Sequence, residues 1–123
     1  MTKPRKKNRP IGEVWLDIFK VQINVFTTAK SAEGFLFDMG CGEVDCRPSH
    51  GAFYKAENDD GVSWFAMYVS PDADNSTVVH EAVHAADWIM DDIGIPTTAK
   101  NTEVRAYLVQ SVYSQAMNVL GRA

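Results

Sequence analysis

The period of the apolar pattern changes once along this chain, and that change does most to limit the folds open to it. Over residues 18–26 the order Ile-Phe-Lys-Val-Gln-Ile-Asn-Val-Phe alternates, with Lys20, Gln22 and Asn24 on one face and Phe19, Val21, Ile23 and Val25 on the other. Such alternation predicts a half-buried strand. Residues 35–37 read as a short strand, and 52–56 and 62–69 as two more around an Ala-Glu-Asn-Asp-Asp-Gly turn. The stretches 30–34 and 40–51 read as loops. Past residue 75, Val79, Ala82, Val83, Ala86, Ile89, Met90 and Ile93 recur at intervals of three and four. This predicts a helix over about 76–93, capped by Asp74, Asn75 or Ser76 and stopped by Gly94 ahead of Pro96. A second helix, over about 102–120, follows Asn101 and ends at Gly121. Strands followed by helices imply an α+β domain, with a mostly antiparallel sheet in the first half and helices on one face of it.

A chain of 123 residues has room for one domain, expected over 11–123. The first ten residues gather Lys3, Arg5, Lys6, Lys7 and Arg9 and read as a basic, disordered arm. That arm lacks the apolar run of a secretory signal, and no stretch approaches the roughly 18 apolar residues of a membrane span. A cytoplasmic protein with no membrane partner is the expectation. The net charge of −4 does not favour nucleic acid, which leaves the arm as the one segment suited to phosphate. Cys41 and Cys46 stand five apart, with His50 four further on. They are open to three readings: ordinary thiols, a disulfide that a reducing compartment disfavours, or three of the four ligands a structural zinc needs.

On the first helix His80-Glu81-Ala82-Val83-His84 forms an HExxH motif. Residues four apart lie one turn above each other, so both imidazoles can reach a single ion from a rigid support. Glu81 projects beside that stripe, where it can act on a water rather than replace a histidine as ligand. The bland alternative is a solvated polar stripe of His80, His84, Asp87 and Asp91. A catalytic zinc takes three protein ligands and keeps a place for water. Glu103, nineteen residues past His84, opens the second helix and is the candidate third ligand, although a Glu there also complements the helix dipole.

His80, Glu81, His84 and Glu103 together resemble the gluzincins, the zincin metallopeptidases with HExxH and a Glu about twenty residues downstream. The brevity of the chain is similar to minimal gluzincins and to small phage-encoded metallopeptidases. The resemblance spans residues 62–110 and implies a minimal zincin-like domain that binds Zn2+ and cleaves peptide or protein substrates. In that scheme His80, His84 and Glu103 hold the zinc, Glu81 is the general base, and the segment 62–69 is the edge strand that pairs with an extended peptide. The sequence departs from the family at Tyr107, where an Asp often orients the first histidine, and no helix is expected ahead of the motif. Asp87, Asp91 or a backbone carbonyl would take over that orienting role. Tyr107 is the first candidate to steady the oxyanion, ahead of Arg105, Tyr113 and His50. Two other functions stay open: a zinc-holding protein without turnover, and a nucleic-acid-associated protein acting through the basic arm.

Overall fold

The computed structural model describes residues 3–44 and 49–122, and within them four strands and three α-helices. Strands β1 (Gly12–Leu16) and β2 (Val21–Phe26) form an antiparallel hairpin. Residues 17–20 are its turn rather than the start of a strand, because Lys20 takes a left-handed conformation (φ 54°) and its ammonium pairs with Asp17 at 3.0 Å.

Helix α1 (Ala29–Asp38) comes next, opened by Thr28, whose hydroxyl accepts from the Ser31 N–H at 3.2 Å. It overturns both the loop expected at 30–34 and the strand expected at 35–37, and it supplies a helix ahead of the HExxH motif. Gly34 lies inside this helix. A Cβ at this position would run into the side chain of Asn8, so glycine serves the contact rather than a break. Asn8 is 4% exposed and donates to Asp38 at 2.9 Å, and Arg5 pairs with the same carboxylate at 3.1 Å. From Arg5 to Asn8 the basic segment therefore lies against α1.

The β3 (Gly51–Glu57) and β4 (Ser63–Val69) hairpin turns at Asn58, whose side-chain oxygen accepts from the N–H groups of Asp60 and Val62 at 3.0 and 2.9 Å. The sheet order is β1-β2-β4-β3, with β2 and β4 parallel and the two outer pairings antiparallel. Helix α2 (Asn75–Ile93) is capped by Asp74, which accepts from Ser76 N–H at 3.0 Å, and closed by Gly94 at φ 79°. A 3-10 turn leads into α3 (Thr102–Val119). Asn101 does not cap α3 with its side chain; instead it donates to Pro96 O at 2.8 Å and ties down the loop between the helices.

The α+β class holds, but helices cover both faces of the sheet. Val14, Ile23, Val25, Phe65, Met67 and Val69 pack with Val78, Ala82, Ile89, Leu108 and Val112 of α2 and α3. On the other face Phe26, Tyr54, Ala66 and Tyr68 meet Phe35 and Leu36 of α1. Burial on both sides explains the nearly unbroken apolar run of β4, since a strand covered on both faces does not alternate. It also makes β4 an interior strand, so the edge beside the HExxH helix is β3, not the segment 62–69. The two outer edges differ. Gln115 of α3 accepts from Trp15 N–H at 2.8 Å and donates to Trp15 O at 2.9 Å, closing the β1 edge, whereas no strand among the described residues pairs with the outer edge of β3. Among the described residues no helix is long and apolar enough to cross a membrane.

Candidate active site

The stripe of α2 that points away from its buried positions carries His80 and His84, both exposed. Their Nε2 atoms lie 3.1 Å apart, with the rings at 78° to one another. Two nitrogens this close either share one N–H···N hydrogen bond or direct two lone pairs at one ion. An ion at about 2.0–2.1 Å from each nitrogen in tetrahedral geometry would hold them about 3.3 Å apart, so the pair fits as two ligands with little movement.

Glu81 turns about 100° round the helix from His80, under the start of β3. There the edge strand comes unusually close: a Cβ on Gly51 would stand 2.7 Å from Thr77 Cγ2, 3.1 Å from Tyr68 O and 3.2 Å from Glu81 Oε2. Only glycine lets the strand sit so near the carboxylate. Glu81 is 5% exposed, and no donor among the described residues hydrogen-bonds to it. Burial pushes its carboxyl above the ordinary glutamate range, and the charges of His80 and His84 oppose that rise. A buried acid without a donor costs stability and repays nothing to the fold.

The register of the hairpin decides what the open edge offers. Ser70 N–H donates to His50 O at 2.8 Å and Asn58 N–H to Val62 O at 3.0 Å, so the even-numbered residues of β3 spend their backbone groups on β4. The groups of Gly51, Phe53 and Lys55 then face outward, because antiparallel pairing alternates. Gly51 stands by Glu81, and Lys55 reaches Asp92 farther along α2 at 3.2 Å. The edge and the helix therefore run side by side in the same direction.

Glu103 is not brought to the histidines. It is exposed, and nine residues, two and a half turns, separate it from buried Val112, so it points away from the core. Among the described residues no group of three His, Cys, Asp or Glu could hold a metal. Tyr107 also lies elsewhere, its ring edge-on to Phe19 of the β1–β2 turn at 6.5 Å. It sits about 200° round α3 from Arg105, which faces α2. Arg105 is engaged by Asp87 through contacts of 2.8 and 3.2 Å, so Arg105 is not at hand to steady an oxyanion nor Asp87 to orient His80. Tyr113 lines an open groove of about 530 Å³ between α2 and α3, together with Val79, Val83, Ala106 and Val109. His50 precedes Gly51, with its backbone carbonyl bonded to Ser70. A larger concavity, about 920 Å³, lies across the molecule between the N-terminal segment and α1, and its described lining holds neither histidine nor cysteine. Burial, then the charge of Asp59, raises the Cys41 thiol. Cys46 lies outside the described residues, and so do the disulfide and the zinc reading that depend on it.

The chain has no match among known proteins, whether family model, curated protein or solved structure.

The sequence reading singled out none of three residues of the site, Gly51, Thr77 and Lys55. Gly51 matters only because two elements meet at it, and Thr77 only because it meets Gly51. Lys55 became relevant once β3 proved to be the edge. A signal did exist for that last point, in the apolar continuity of β4.

Proposed function

We propose that this chain is a zinc-dependent hydrolase of peptide bonds, with Glu81 as its general base and His80 and His84 as two of the metal's ligands. The observation that carries this reading is the buried, donor-free Glu81 carboxylate beneath an open strand edge and beside two converging imidazoles. A bound zinc supplies Lewis acidity and lowers the pKa of the water it binds to about 7. The remaining work falls to the chain. The Gly51 N–H and the outward groups of Phe53 and Lys55 hold an extended substrate by backbone pairing, which sets the carbonyl of the cleaved bond over α2. Glu81 takes a proton as water attacks that carbonyl and returns it to the departing amine. Its raised pKa suits a group that must carry the proton between those events.

The donor set fits zinc in two places and lacks a third. Glu103 remains the third ligand in this reading, and it reaches the pair only if the first turn of α3 rotates towards α2. That turn has no side-chain cap, but the rotation would have to be made around the Arg105–Asp87 pair that ties it to α2. The outward position of Glu103 favours one other reading, in which the two histidines bind metal weakly and no turnover follows.

The test is a comparison of the zinc-loaded chain with Glu81→Gln on a diverse peptide library. Cleavage that falls about 10²–10⁴-fold in the variant at equal zinc content supports the peptidase. Equal cleavage by both refutes Glu81 as base, and no cleavage by the loaded wild type favours the reading without turnover.

A further inference from the structure

One turn beyond His84 on the same side of α2 stands Trp88, 46% exposed. The Lys55 ammonium lies 5.8 Å from the centre of its indole and is held there by Asp92 at 3.2 Å. Lys55 is also one of the edge residues whose backbone groups face outward. The same trough thus presents a half-exposed indole from the helix and, from the strand, a row of N–H and C=O groups that no strand among the described residues pairs, with Gly51 O taken up by Ser49 Oγ at 2.6 Å.

An extended peptide satisfies both at once. Its backbone pairs with the edge, and every second side chain drops onto α2. A partner helix cannot do this, because its own backbone groups are already bonded internally. The opposite edge of the sheet makes no such offer, since Gln115 occupies it. The spacing agrees as well. Trp88 lies roughly 6 Å along the helix from His84, and like-facing residues of a strand are roughly 7 Å apart.

We propose that Trp88 is the floor of a specificity subsite that takes an aromatic or large aliphatic side chain of the substrate, two residues from the one that lies over His84. This rests on the cleavage centre proposed for His80, Glu81 and His84. Orientation follows from the pairing rules. Strand β3 runs from Thr77 and Glu81 towards Trp88 and Asp92. Antiparallel pairing is the slightly more stable choice, so the peptide runs the other way and meets Trp88 before the bond that is cut. The preferred residue is therefore on the N-terminal side of that bond. Lys55 fixes the indole from one side and leaves the rest of its face for the ligand.

The experiment uses the zinc-loaded full chain, Trp88→Ala and Trp88→Phe, with two extended peptides that differ only by Phe or Ala at the position concerned. Both cleavage and binding are measured, the latter by calorimetry in the Glu81→Gln background. The expected result is a KM for the Phe peptide about tenfold or more below that for the Ala peptide, from burial of one aromatic side chain, with similar kcat. Trp88→Ala should erase that difference, and Trp88→Phe should keep most of it. A preference that survives Trp88→Ala overturns the subsite and leaves the peptidase standing. If no peptide is cleaved, the peptidase fails and binding decides the subsite. Tighter binding of the Phe peptide, lost in Trp88→Ala, supports it, and equal binding of both peptides overturns it.

Discussion

Replacing Gly51 by alanine tests how the edge strand and the HExxH helix are fitted together. The new Cβ would stand 2.7 Å from Thr77 Cγ2, where carbon atoms prefer about 3.5–4.0 Å. The Thr77 methyl would have to retreat by about 1 Å, and a β-branched side chain in a helix has few rotamers to retreat into. Tyr68 O at 3.1 Å and Glu81 Oε2 at 3.2 Å would add milder strain. Overpacking of this kind costs about 1–3 kcal/mol. The methyl is the worst of the three contacts, so Thr77→Ser should recover much of the loss, giving a coupling of at least about 0.5 kcal/mol in a double-mutant cycle. Urea unfolding of the four proteins measures it. The same displacement moves Glu81, so cleavage should fall in Gly51→Ala and return in part with the second change. A Gly51→Ala protein as stable as wild type, or one whose loss is the same with and without Thr77→Ser, would refute the close approach on which the site's geometry rests.

Other outcomes follow from the same structure. The Asp38 carboxyl is held below the usual carboxylate range by the Asn8 side chain, then by the Arg5 N–H and charge, so the unfolded chain binds the proton more readily. Its contribution should be complete above the ordinary Asp value and fade as pH falls towards the depressed one; unfolding free energies across the acid range should show a steeper slope in wild type than in Asp38→Asn. Gln115→Ala should cost roughly 1–2 kcal/mol through two lost hydrogen bonds to Trp15, and light scattering should show association through the uncovered β1 edge. Glu103→Ala should weaken zinc affinity by more than the roughly 10–100-fold that loss of an outer-shell partner costs, if the carboxylate swings in as the third ligand. An unchanged affinity in a chelator competition would mean that only the two histidines bind.

The helical half was legible because its signals are local. Asp74 as cap, Gly94 in the left-handed region and the three-and-four spacing of the apolar residues lie where they were expected. The convergence of His80 and His84 was legible for the same reason, being a property of a single helix. What failed depended on contacts distant in sequence. The stretch 30–34 read as a loop because the packing of Gly34 against Asn8 is not visible locally, and α1 was lost with that reading. The position of β4 inside the sheet depends on a parallel pairing with β2, about forty residues away, which alternation within one strand cannot reveal. The direction in which Glu103 points is set by which face of α3 the core takes, and α3 has apolar residues on more than one face. The contact of Tyr107 with Phe19 of the first hairpin was hidden for the same reason.

The most direct measurement of the central claim is the zinc content and affinity of the purified chain, taken for wild type, His80→Ala, His84→Ala and the double variant. The account predicts about one zinc per chain in wild type, a large loss of affinity in each single variant and no bound zinc in the double. Full zinc occupancy in the double variant would contradict it, and so would a wild type that takes up no zinc.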